Sequence, residues 1–215
     1  ISAEKVEVFP NCIEIQDISL TKEEKVSMRE KYGIPVDKMV FVYGGNLGKP
    51  QGIPFVIECL RAEKENLDVF FLIVGDGTEY RKLEEFVMAD KPTNMKLMKR
   101  LPKDDFDRMI AACDVGVICL DHCFAIPNFP SRFLSYMQAG LPVLACTDPN
   151  TDIGKVITEG KFGWWCESDN TDHFAHCVVQ AMQSDLQSIG AVAFDYLQEN
   201  FHVKDSYLRI IKSIE

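Results

Sequence analysis

No apolar run in this 215-residue chain approaches the roughly 20 residues of a membrane-spanning helix. Its first residues, ISAEKVEVFPN, have neither the charged start nor the apolar stretch of a secretory leader. A cytoplasmic location is therefore expected. Basic residues are in the minority, 23 Lys and Arg against 33 Asp and Glu for a net charge of -10, which excludes the basic stripe on which general nucleic-acid binding rests. No nucleic-acid partner is expected, and any phosphate must be held locally. The eight cysteines include no C-x-x-C pair. Most sit in apolar surroundings, as reduced core residues do, rather than in a disulfide framework. Cys119-Leu120-Asp121-His122-Cys123 gathers metal-binding residue types, but so short a strand end can aim only two or three of them at one ion. The second pair that a zinc site needs is not evident. Neither a metal nor a cofactor is expected. Internal repeats and low-complexity segments are missing too.

What is present is an ordinary globular composition, 47% hydrophobic and 26% charged, long enough for one α/β domain behind a short leading arm. The charged stretch Lys22 to Tyr32 reads as a surface helix stopped by Gly33. Apolar runs then alternate with amphipathic ones. Strands are expected at 39–43, 69–74, 95–98, 115–120 and 143–145, with helices near 53–60, 79–88, 103–112 and 131–139 between them. Phe162 to Cys166 could add an edge strand. Residues 170–214 read as helical, with a break near Asn200 and a last amphipathic piece from Tyr207 to Ile214. This alternation implies a doubly wound, Rossmann-like parallel sheet.

In open parallel sheets ligands bind beyond the carboxyl ends of the strands, so the loops there are the functional candidates. The richest runs from Asn128 to Ala145, NFPSRFLSYMQAGLPVLA. Pro130 and Ser131 are expected to open a helix as first-turn proline and side-chain cap, leaving free N–H groups and the positive end of the dipole facing an anion. Arg132 puts a cation where the dipole disfavours one, so it calls for an anionic partner. The glycines of Gly44-Gly45-Asn46-Leu47-Gly48 allow close approach of a pyrophosphate to the backbone, with Lys49 adding charge. A purely structural turn explains them equally well. Gly75-Asp76-Gly77 reads as a tight strand-to-helix turn or a second phosphate-facing loop. Arg100 either stacks on a base or is solvated. Asp121 and His122 are ionisable neighbours at a strand end, where they either polarise a phosphate or sugar hydroxyl or simply sit in a solvated loop. Phe124, Ala125, Ile126, Pro127 and Phe129 are apolar where such a loop is usually polar, as a sugar-facing or partner-facing lid would be. His173, His176 and His202 read as solvated.

The Pro130-Ser131-Arg132 start and the run from Tyr136 to Val143, YMQAGLPV, resemble the P-S-K/R and Y-M-x-A-G-x-P-V pattern of the donor-binding half of group 1 glycosyltransferases. These are retaining nucleotide-sugar enzymes of the two-domain GT-B fold. The resemblance extends over residues 6–210 and implies a connector at 1–20 leading from an absent N-terminal acceptor domain, a donor-binding domain at 21–200, and a C-terminal helix at 201–215. With Ile rather than Met at its start, the chain is expected to be a piece of a longer protein. The family's Arg and Lys that grip the donor diphosphate correspond to Asn46 and Gln51 here, and the two glutamates of its E-x7-E motif to Pro127 and Ser135. Both carboxylates are thus absent, and Lys49 and Arg132 become the candidate cations for the diphosphate.

The resemblance implies nucleotide-sugar contacts from Gly45, Asn46, Gly48, Lys49, Gln51, Gly75, Asp76, Gly77, Arg100, Asp121, His122, Pro130, Ser131, Arg132 and Ser135. It implies a donor of UDP or GDP type, a glycan or lipid-linked acceptor, and a role in cell-surface polysaccharide synthesis (capsule or lipopolysaccharide), with the full protein able to lie peripherally on the inner face of the membrane. No residue stands out as a nucleophile. The competing expectations are a nucleotide-sugar 2-epimerase half, a flavodoxin-like binding module, and a non-catalytic glycosyltransferase-like subunit.

Overall fold

The computed structural model describes residues 11–123 and 129–214. Residues 1–10, with most of the expected connector, and Phe124, Ala125, Ile126 and Pro127 of the expected lid lie outside them.

Six strands, β1 (Met39–Asn46), β2 (Val69–Asp76), β3 (Met95–Met98), β4 (Val115–Cys119), β5 (Val143–Thr147) and β6 (Gly163–Glu167), form one sheet in the order β3-β2-β1-β4-β5-β6. Every neighbouring pair is parallel. Helices α1 (Lys22–Tyr32), α2 (Ile53–Ala62), α3 (Tyr80–Asp90), α4 (Lys103–Ala111), α5 (Ser131–Gln138), α6 (Asp152–Gly160), α7 (Thr171–Met182), α8 (Leu186–Asn200) and α9 (Val203–Ile214) complete the chain.

The two-residue period of the strands sorts the core into two layers. Val40, Val42, Leu72, Ile118, Val143 and Ala145 face one way and pack with residues of α4, α5, α6 and α8. Phe41, Tyr43, Ile73, Val117, Leu144 and Cys146 face the other way, against α2, α3 and α7. Helices on both faces make the sheet doubly wound, as the alternation predicts. The strand order reverses between β1 and β4, the point at which open sheets of this kind bind ligands beyond the carboxyl ends.

Local signals explain the boundaries. Thr21 and Glu24 form a reciprocal capping box at the start of α1, and Gly33 closes it at φ 60°. Half-buried Asp114 accepts from both Arg29 Nη2 and Val40 N at 2.7 Å, tying α1 to the foot of the sheet.

Three expectations need correction. Strands β1 and β2 run on through Gly44–Asn46 and Gly75–Asp76, because those residues stay in register with one another. Helix α6 follows β5 with an apolar stripe of Ile153 and Ile157 that its weak flanking signals hid. The helical tail also breaks at 183–185, where Asp185 caps α8 through Ser188 N, as well as near Asn200. Of the leading arm, Ile13 donates to Phe201 O and accepts from Val203 N, so it pairs with the α8–α9 junction.

Candidate functional site

A cleft of about 480 Å³ opens at the carboxyl ends of β1, β2 and β3, lined by Gly45, Asn46, Gly75, Asp76, Arg100 and Phe106, with Val74, Leu101 and Lys103. The sequence had singled out five of these nine residues, Gly45, Asn46, Gly75, Asp76 and Arg100. Of the other four, Val74 belongs to β2, Leu101 to the loop after β3, and Lys103 and Phe106 to the first turns of α4. Nothing in their residue types marks them as binding residues, and only the return of α4 to the strand ends brings them in.

The cleft floor is knit from two loops. Leu47 N donates to Asp76 O, and Glu79 N donates to Leu47 O, each at 2.9 Å. A Cβ at Gly75 would stand 2.0 Å from Gly45 O, so Gly75 is required for the two strand ends to touch. Gly45 has φ 110°, outside the range that side chains tolerate. Gln51 is buried, and its Oε1 accepts from Gly48 N at 3.1 Å and from Asn46 Nδ2 at 3.5 Å. The N–H of Gly48 is thereby committed to Gln51, and that of Gly77 to Asp76 Oδ1 at 2.9 Å. Both glycine turns hold themselves together, and Gly48, Gln51 and Gly77 shape the cleft wall from behind.

Arg132, itself outside the cleft lining, approaches Gly45 and Asn46 from the first turn of α5. Its Nη2 donates to Asn46 O at 3.1 Å, and its guanidinium lies 4.9 Å from the centre of the Tyr43 ring. Its Nη1 is buried and has no hydrogen-bond partner among the described residues. A buried guanidinium nitrogen without an acceptor is costly; the Tyr43 hydroxyl beside it, also buried and unpartnered among the described residues, interacts with it only weakly, and an anion at this end of β1 would supply a stronger acceptor. Behind it, Tyr136 OH accepts from Gly44 N at 2.9 Å, fixing α5 against β1. Burial pushes the Tyr136 phenol up to about 12, against the opposing effect of Arg132, so it stays neutral at physiological pH.

The remaining expectations divide. Pro130, not Ser131, occupies the cap position of α5, and no side chain caps it. Ser131 is instead the first helical residue and exposed; Phe133 N is taken by Pro130 O at 3.0 Å, so in the first turn only the N–H groups of Ser131 and Arg132 have no acceptor among the described residues. Half-buried Ser135 lies one turn further along. Lys49 is exposed on a short 3₁₀ turn, Lys49–Gln51, outside the cleft lining. Asp121 is engaged locally: its carboxylate accepts from Cys123 N, and its own N–H donates to Pro50 O. His122 is exposed and does not line the cleft. Cys119 is buried in the core while Cys123 is exposed, so the sequence cluster around them does not close on one point. His173 and His176 are exposed, as expected, whereas His202 Nδ1 accepts from Lys204 N at the start of α9.

The family described as Glycosyl transferases group 1 matches residues 24–189. The Pseudomonas aeruginosa protein named probable glycosyltransferase WbjE is 29% identical over 164 residues, covering 76% of this chain and 41% of the relative. An Escherichia coli relative named UDP-Gal:alpha-D-GlcNAc-diphosphoundecaprenol alpha-1,3-galactosyltransferase is 23% identical over 228 residues, 96% of this chain and 55% of its own. Among solved structures, Anabaena Alr3699/HepE in complex with UDP-glucose superposes with a TM-score of 0.82 at 18% identity, covering 99% of this chain and 58% of that one. The chain spans about half the length of the curated relatives it matches.

Proposed function

The chain belongs to the group 1 glycosyl transferases, and from that membership we propose that it is the donor-binding half of a retaining glycosyltransferase. The donor is a nucleotide diphosphate sugar, and the acceptor is a glycan or lipid-linked sugar of a cell-surface polysaccharide. Residues 1–20 lead in from an acceptor-binding half, 21–200 bind the donor, and 201–215 form the closing helix. The full protein works at the inner face of the membrane, where a lipid-linked acceptor is presented.

The observation that carries this reading is Arg132 in the first turn of α5, whose guanidinium faces Gly45 through Nη2 and Cζ and whose Nη1 is buried without a hydrogen-bond partner among the described residues. The diphosphate lies there, accepting from the Arg132 side chain and from the backbone N–H groups of Ser131 and Arg132, with the α5 dipole adding to the attraction. Base and ribose extend along the cleft toward Arg100, Leu101 and Phe106. When the acceptor hydroxyl oxygen bonds to the anomeric carbon, the carbon–oxygen bond to the diphosphate breaks, its electron pair leaves with the phosphate, and the departing phosphate oxygen takes the hydroxyl proton. Arg132 and the α5 dipole stabilise the charge that collects there. Uridine is favoured over guanosine by two relatives, one named for UDP-Gal and one solved with UDP-glucose. Ser135, in place of a carboxylate, gives the ribose a weaker anchor, so the phosphate contacts carry most of the affinity.

Titration calorimetry with UDP, GDP and their sugar conjugates tests this. The expected result is saturable binding of UDP and a UDP-sugar, reduced at least about tenfold by Arg132→Ala, as loss of a charge-assisted contact implies. Lys49→Ala, exposed and outside the lining, should weaken it less. A folded chain that binds no nucleotide would replace the proposal with the non-catalytic, partner-binding subunit.

A further inference from the structure

Away from the cleft, at the far side of the same sheet edge, three side chains of metal-binding type converge. His122 follows the end of β4, Glu167 ends β6, and Asp169 lies just beyond it. Their ligand atoms, an imidazole nitrogen and two carboxylate oxygens, all lie within 4.8 Å of one another. We propose that these three residues bind a divalent transition-metal cation, with zinc as the preferred ion.

The argument rests on what this corner of the fold leaves unmatched. Two carboxylates this close repel each other, and among the described residues neither has a Lys or Arg within ion-pair distance. The residue between them, Ser168, is 4% exposed, and its Oγ has no hydrogen-bond partner among the described residues. Its backbone N–H donates to Thr147 O at 3.0 Å, which pins the tripeptide to the end of β5. Beside the two carboxylates, Ser168 Oγ is thus a buried polar atom that the described protein does not satisfy, as a bound ion or ordered water would.

The donor set selects the class of ion. One imidazole nitrogen with two carboxylate oxygens is a mixed set that suits zinc and its neighbours better than magnesium or calcium, which take oxygen ligands. His122 and Asp169 are exposed and Glu167 is half-buried, so three protein ligands leave an open position for water. The site also resolves the puzzle posed by Cys119 to Cys123. Of that cluster only His122 contributes, and its partners come from β6, far away in sequence.

A bound ion would clamp the end of β4 to the edge strand β6 across β5. The test uses the whole chain and the metal alone, so its result does not depend on nucleotide binding. Calorimetric titration with zinc is performed on wild type, His122→Ala, Glu167→Gln and, because zinc is thiophilic and the exposed Cys123 thiol lies next to His122, Cys123→Ser. The expected result is one saturable site, with affinity reduced at least tenfold in His122→Ala and in Glu167→Gln and retained in Cys123→Ser. It should also outbind magnesium at least tenfold. Absence of saturable binding, binding unchanged in the first two variants, or binding abolished by Cys123→Ser would each overturn the proposal.

Discussion

Arg132 and Gly75 show how much of this site depends on single atoms. Arg132 is held by Asn46 O and the face of Tyr43, so its guanidinium is oriented before any ligand arrives and little rotamer entropy remains to be lost on binding. Gly75 acts by having no side chain. A Cβ there would stand 2.0 Å from Gly45 O, a backbone atom in a paired strand with little room to move. Gly75→Ala should therefore destabilise the chain by about 2 kcal/mol or more and displace Gly45 from Arg132. Urea unfolding reads the first effect and nucleotide titration the second; a variant of wild-type stability would show that the contact relaxes freely. The glycines of both loops were visible in the sequence as candidates for phosphate contact. Their N–H commitments to Gln51 and Asp76 were not, because those bonds depend on rotamers that no spacing encodes.

Among the elements, α1 and α9 are opposites. Helix α1 is stopped and started by local chemistry, Thr21 with Glu24 at one end and Gly33 at the other, so its limits were legible before any fold was known. Thr21→Ala should cost about 1 kcal/mol, read as a shift in the urea midpoint at unchanged slope. Helix α6 escaped notice because Thr151 makes no side-chain cap there and its apolar residues are few. Helix α9 has a strongly apolar set of side chains with little to cover it: Tyr207 is 60% and Leu208 45% exposed. Its link to the rest of the described fold includes the backbone bond from Val203 to Ile13 at its first residue. Deleting residues 204–215 should accordingly shift the thermal midpoint by less than about 4 °C, as measured by circular dichroism. A larger drop would show that α9 stabilises the domain that carries the cleft.

At the scale of the whole molecule, function follows from where the strand order turns. The chain lays β1, β2 and β3 in one direction, then returns to place β4, β5 and β6 on the other side of β1. Helix α5, which follows β4, is thereby carried beside the carboxyl end of β1, and Tyr136 bonded to Gly44 N fixes it there. Arg132 can meet Asn46 only because of that return. The cleft beside β1, β2 and β3 and the His122–Glu167–Asp169 cluster beyond β4 and β6 lie toward the same edge of the sheet, one on each side of the reversal.

The sequence by itself determined the class of fold, most element positions, the parallel sheet and the family, because hydrophobic period, helix caps and the Pro130 to Ala145 segment are local patterns. It also singled out Arg132 as a candidate cation for a phosphate, since a positive charge in a first turn opposes the helix dipole. Only the tertiary structure decided that Lys103 and Phe106 line the cleft, that Lys49 stands outside it, that Gly48 and Gly77 spend their N–H groups internally, and that His122 meets two carboxylates from β6. Each of these depends on segments distant in sequence being brought together by the order in which the strands pair, and local residue patterns carry no record of that order.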